Sequence, residues 1–286
     1  VLAVLLALAS SLCYALASVL QQRAASAQPD ERNLRFGLLA RLALQPAWVL
    51  GVGADVAGYA LQFLALGKGT LVVVQPLLVC GLLFALPAGA ALNGRRLDRA
   101  DWLGALLTCA GLAVFLAVAD PARGRPGAPL GVWIPLLALS ALGTACLVVL
   151  AVGGGRRRKA VALSAGAGIL YGAAAALTKT TAHLLYKAGV LAVATDWHLY
   201  LLVAFGAAGM LLGQSAFQAG ELDLSLPTMS VVDPVVSVLI GALALREAVR
   251  FTPAAALSEM ASLAALSVGV FLLARSKRPS GVVEPT

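Results

Sequence analysis

The chain has 286 residues, 60% of them hydrophobic and only 12% charged, with a mean hydropathy of +0.92. A soluble domain of this length needs far more polar surface, so the composition excludes one and points to a polytopic membrane protein. Lys and Arg (21) outnumber Asp and Glu (13), giving a formal charge of +8, yet they lie in short loops without interleaved stacking aromatics, which argues against nucleic acid as a partner.

Runs of 18 or more mostly apolar residues predict nine membrane helices, at about 1–22, 46–66, 70–92, 102–119, 130–152, 160–182, 197–218, 224–245 and 255–273. The first carries Tyr14, Gln21 and Gln22. Although Ala25-Ser26-Ala27 mimics a cleavage site, the apolar run is longer than a typical signal-peptide core, and a copy of it recurs inside the chain. The stretch LRFGLLARLAL at 34–44 is too short to span and holds Arg41, so it reads as an interfacial helix on the inner face.

The second run holds Asp55 at its middle and Gln62. Its GVGADVAG lacks the spacing and the preceding strand of a dinucleotide loop. Gln75-Pro76 interrupts the third run in VVQPLLVCG, and the fourth contains Gly111. The fifth stands alone and is followed by Arg156-Arg157-Arg158-Lys159. Tyr171 and Lys179 belong to the sixth, Gln214 and Gln218 to the seventh, Asp233-Pro234 to the eighth, and Glu259 with Gly269 to the ninth. Within the runs the only formal charges are Asp55, Lys179, Asp233 and Glu259.

With the N-terminus outside, the inner loops and C-terminal tail hold 14 of the 21 basic residues, which favours an outer N-terminus and a cytoplasmic C-terminus in the plasma membrane. Runs 1–4 match runs 6–9 at a nearly constant offset: 157 for Tyr14 and Tyr171, about 153 for Gly67 and Gly220, and 158 for Pro76 and Pro234 and for Gly111 and Gly269. An odd fifth run between the copies makes them enter the membrane in opposite senses. The expected fold is therefore an all-α polytopic membrane protein of two inverted four-helix repeats. The first repeat is 1–119 with the interfacial helix. Residues 120–159 form the linking helix and basic loop, 160–275 the second repeat, and 276–286 a disordered cytoplasmic tail. Inverted repeats with paired helix interruptions are a recurring plan of secondary transporters.

A proline inside a helix removes an amide donor and frees the carbonyl four residues back, so Pro76 and Pro234 are expected helix breaks; a plain kink is the alternative. A mid-membrane carboxylate costs roughly 2.5–3.5 kcal/mol and faces a cavity or a partner. Asp233 is thus the first candidate for a proton- or cation-linked substrate group, and Asp55 the second. Gln75, Gln62, Gln214, Tyr14 and Tyr171 complete the candidate lining, each with structural packing as its alternative. Lys179 could pair with an acid or bind an anion, but near a helix end snorkelling is the commoner fate. The four cysteines, all in apolar runs without CxxC spacing, read as small core residues. With two histidines and no HExxH, GxSxG or Walker motif, no enzyme machinery or cofactor is expected.

The two tails, QPLLVCGLLFALPAGAALNGRRLDRADWLGALLTCAGLAVFL and DPVVSVLIGALALREAVRFTPAAALSEMASLAALSVGVFLL, resemble the drug/metabolite transporter (EamA-like) superfamily. The turn ALREAV, with Glu247 as its acid, is similar to that family's Leu-(Gly)-Glu turn, and Asn93-Gly94-Arg95-Arg96 replaces it in the first copy. Nine helices and FLALGKGTLVVVQPLL are similar to the NIPA branch. The resemblance implies a carrier working by alternating access, or a magnesium pathway using Asp55 and Asp233. A non-transporting assembly factor or lipid-modifying enzyme is the remaining alternative. Expected partners are the lipid bilayer and a small-molecule or cation substrate; the oligomeric state stays open, a homodimer included.

Overall fold

In hydrocarbon a single length of chain satisfies its own amides only as a helix. The computed structural model accordingly contains helices and, among the described residues, no strand. It describes residues 1–28, 36–92, 124–219 and 222–247, with scattered positions between 98 and 114 and between 258 and 272. The helices are α1 (Leu2–Ser26), α2 (Phe36–Leu42), α3 (Pro46–Lys68), α4 (Leu71–Val79), α5 (Gly81–Leu92), α6 (Leu130–Ala151), α7 (Arg156–Thr195), α8 (Trp197–Ala219) and α9 (Leu222–Leu243).

Seven of the described stretches are long and apolar enough to cross a membrane: α1, α3, α4 and α5 taken together, α6, α7, α8 and α9. They coincide with seven of the nine predicted runs. The fourth and ninth, 102–119 and 255–273, fall mostly outside the described residues, as does the tail 276–286. The stretch at 34–44 yields α2, a helix of 7 residues whose Leu38 and Leu42 are buried while Arg41 is exposed.

Two expectations need correction. Pro234 does not break its helix, because α9 runs uninterrupted through it. Pro76 lies inside α4, which stops at Val79, and α5 begins at Gly81. The difference lies four residues on. A missing amide costs a helix one bond; Val238-Leu239 follow Pro234 and let α9 continue, whereas Cys80-Gly81 follow Pro76 at the same distance and part α4 from α5. Gly81 lies so close to α1 that a Cβ there would stand 2.9 Å from the Ser11 carbonyl oxygen. The sixth run also extends well past residue 182. α7 has 40 residues, and only Gly189, at φ 82° and ψ −177°, leaves helical geometry.

The largest helix contacts are α1 on α3, α7 on α8, and α7 on α9. Glycines set the closest approaches, as expected where lipid removes any hydrophobic drive between helices. A Cβ at Gly172 would lie 2.6 Å from the Asp233 carbonyl oxygen and one at Gly168 2.8 Å from Val232 Cβ, so α9 rests directly on α7 backbone. Ser10 donates to the Gly58 carbonyl at 2.7 Å across the α1–α3 contact. α6 packs on α7 and is anchored at its start by buried Trp133, whose ring stands edge-on to Trp197 (6.2 Å) and His198 (5.5 Å). Cys13, Cys80 and Cys146 form no disulfide.

Candidate functional site

Polar side chains on α1, α3, α7, α8 and α9 converge inside this apolar bundle. Tyr14 on α1 donates its hydroxyl proton to Gln62 Oε1 on α3 at 2.6 Å. Nearby, Tyr59 bonds Thr178 Oγ1 of α7 at 3.0 Å; the threonine hydroxyl is spent on the Ala174 carbonyl (2.8 Å), so the tyrosine is the donor. Tyr14 lies within electrostatic range of Asp55, Tyr59, Asp233 and Tyr171, and Tyr171 within range of both acids. Four sequence candidates, Tyr14, Tyr171, Asp55 and Asp233, thus share one polar region, with Gln62 bonded to its edge.

The two tyrosines sit alike on their neighbours. A Cβ at Gly58 would stand 3.0 Å from the Tyr14 ring, and one at Gly209 2.8 Å from the Tyr171 ring. Each ring therefore packs closely against a glycine of the next long helix.

Asp55 ends a directional chain of donors. Trp48 Nε1 donates to Gln214 Oε1 at 3.1 Å, Gln214 Nε2 to Gln21 Oε1, and Gln21 Nε2 to Asp55 Oδ2. The chain crosses α3, α8 and α1, and Gln21 and Gln214 are almost fully buried. It places Gln214 in a fixed network rather than on a free cavity wall.

Gln75 and Asp233 differ from these. Gln75 is 1% exposed, and among the described residues neither its amide oxygen nor its amide nitrogen has a partner. Asp233 Oδ1 is likewise buried and unpartnered. Leaving a buried polar group unpaired costs about 1–3 kcal/mol. Pro76 is buried beside Gln75, and Pro234 is half-buried. Among the described residues no three His, Cys, Asp or Glu side chains gather as a metal site.

Lys179 does not snorkel. Its ammonium pairs with the carboxylate of Glu247 and donates to the Gly69 carbonyl at 3.2 Å. That carboxylate also receives the Leu71 and Val72 amides at 3.2 and 3.3 Å. Thr70, at the cap position of α4, makes no side-chain cap bond, so Glu247 caps α4 from a distant turn. The turn itself is tight: Arg246 has φ 51°, and the Arg125 amide donates to the Leu245 carbonyl at 2.5 Å.

The chain is 36% identical over 246 residues to an uncharacterized protein of Corynebacterium glutamicum, a match covering 86% of this chain and 85% of that protein. The two chains belong to one family. No protein-family model matches the chain, and no solved structure does.

Sequence reasoning missed Trp48, Tyr59 and the task of Glu247. The signal for the last was present in part: a lone lysine inside an apolar run needs a counter-ion, and Glu247 is the first acid after the apolar run that holds α9. Trp48 and Tyr59 gave no such signal, since aromatics near helix ends and on lipid faces are common in membrane helices.

Proposed function

We propose that the chain is a secondary plasma-membrane transporter of the drug/metabolite transporter type, with an outer N-terminus and a cytoplasmic C-terminus, moving a small solute by alternating access. The observation that carries this reading is that Gln75 and Asp233, each directly before an intrahelical proline, hold buried polar atoms without a partner among the described residues; Thr70, Trp133, Ser164, Thr181 and His198 also leave one atom each unpaired. A solute or its hydration water gives those groups the partners the fold withholds. Tyr171 lies within electrostatic range of Asp233 and is a further donor, whereas the Tyr14 hydroxyl is already given to Gln62.

The two inverted repeats are part of the same proposal. Tyr14 against Gly58 and Tyr171 against Gly209 are similar contacts, at offsets of 157 for the tyrosines and 151 for the glycines, and in this reading α1 on α3 corresponds to α7 on α8. Lys179–Glu247 then fastens the second repeat to the start of α4 in the first. Release of that fastening is one half of an access cycle.

The test is counterflow with the purified full chain in liposomes, with and without a proton gradient. Solute uptake that is lost in Asp233→Asn supports the reading, and absence of any solute movement across a broad panel overturns it.

A second reading, a divalent-cation carrier of the NIPA type, draws on Asp55 and Asp233 sharing the tyrosine region. Magnesium keeps several waters and binds one or two carboxylates, so this reading requires both acids to face one hydrated space. Magnesium flux that survives both Asp55→Asn and Asp233→Asn would dismiss it.

A further inference from the structure

The last turns of α6 and the first turns of α7 leave a groove of about 540 Å3 between them. Leu147, Leu150, Val161 and Ala165 line it, and among the described residues the only charged groups on it are Arg157 and Arg158. Apolar surface continues beside it on α6, where Leu142 is 64% and Val149 71% exposed. The groove therefore has the polarity of an amphiphile: a hydrocarbon trough with two guanidiniums.

Those guanidiniums are not explained by the helix that carries them. Arg156-Arg157-Arg158-Lys159 occupy the first turn of α7, with no acid in that turn. A helix N-terminus is already partly positive, so cations there are opposed by the dipole rather than helped by it. Arg156 reaches the Gln218 carbonyl at 3.4 Å, whereas Arg157 and Arg158 face the groove. An anion between them offsets the repulsion that the described residues leave standing.

The geometry points to an anionic phospholipid seated in this groove, its phosphate between Arg157 and Arg158 and an acyl chain along Leu147, Leu150 and Val161. Basic pockets between membrane helices hold anionic head groups by this combination of charge and apolar wall. The occupant is a lipid and not free phosphate because most of the lining can contribute only apolar contact. The assignment stands whether or not the chain carries a solute, since it uses none of the residues of the central polar region.

Native mass spectrometry of the full chain, titrated with phosphatidylglycerol, phosphatidylcholine or inorganic phosphate, tests it. Phosphatidylglycerol is expected to be retained over both others. Its retention falls about thirtyfold in Arg157→Gln/Arg158→Gln, at about 1 kcal/mol for each basic residue near a membrane surface. Val161→Trp, which fills the trough and keeps both charges, is expected to weaken retention as well. Removing two cations elsewhere, Lys277→Gln/Arg278→Gln, leaves it unchanged. Equal retention of phosphatidylcholine, an equal loss in the tail variant, or undiminished binding in Val161→Trp would each replace the site with a diffuse basic surface. Binding untouched by the double arginine variant removes it altogether. Elution volume on size exclusion checks that every variant is folded.

Discussion

Lys179 and Glu247 form a buried ion pair, and the same carboxylate takes the first two amides of α4. One acid thereby compensates two positive ends, an ammonium on α7 and a helix N-terminus that has no cap of its own. Neither end is tolerable alone in a dry interior, and the three elements are held as a unit.

Lys179→Met leaves Glu247 buried without its cation. Breaking a buried pair from one side costs about 3–5 kcal/mol. Thermal unfolding in detergent should show a large drop in midpoint. Glu247→Gln should cost as much, since it strands the lysine, and Lys179→Met/Glu247→Gln should lose less than the sum of the single changes. Strict additivity would mean that the two groups do not interact.

Gln75→Met removes two unpartnered polar atoms and keeps the volume. If Gln75 instead held neighbouring helices by hydrogen bonds, stability would fall. A Gln75 held in readiness for solute predicts an unchanged or higher midpoint, by up to about 1–3 kcal/mol, together with slower transport. The two readouts move in opposite directions, which is the diagnostic.

Asp233→Asn preserves shape while removing the ionisable group and turning one acceptor oxygen into a donor. Uptake in proteoliposomes should be abolished or should lose its dependence on a proton gradient, with insertion and elution profile unaltered. Wild-type flux in this variant takes Asp233 out of the mechanism.

Gly172→Ala and Gly206→Ala form a contrasting pair. The new methyl at 172 would lie 2.6 Å from the Asp233 carbonyl oxygen, a backbone atom that cannot turn aside, whereas at 206 it meets nothing within 4 Å. Overpacking at Gly172 should destabilise by about 1–3 kcal/mol, and relieving a mid-helix glycine at 206 should add about 0.5–1 kcal/mol. Similar midpoints for both would mean that α7 and α9 do not meet there.

Much of this arrangement was legible because hydrocarbon allows so few solutions. Apolar runs gave the described spans, and the scarcity of polar residues in them singled out Tyr14, Gln62, Asp55, Tyr171 and Asp233, which share one region of the bundle. Hydropathy failed where it measures the wrong quantity. It marks contact with lipid, not the end of a helix, so the extension of α7 to Thr195 went unread. Pro234 misled because a proline deletes one bond and its neighbours decide the rest; Cys80-Gly81 interrupt and Val238-Leu239 do not. The Lys179–Glu247 pair joins residues 68 positions apart, and the sequence alone could supply the need for a counter-ion without its address.

α7 runs without interruption from Arg156 to the residue before Gly189, which at 1.5 Å per residue makes a rod of about 50 Å against a hydrocarbon slab of about 30 Å. An upright rod therefore extends beyond the hydrocarbon, with Tyr186 lying over Gly67 at the end of α3. Such a rod is a lever. A tilt of about 10° around Gly172 would carry its tip at Ala188 about 4 Å sideways, so small rearrangements at bilayer depth would be magnified where a spectroscopic label can be attached.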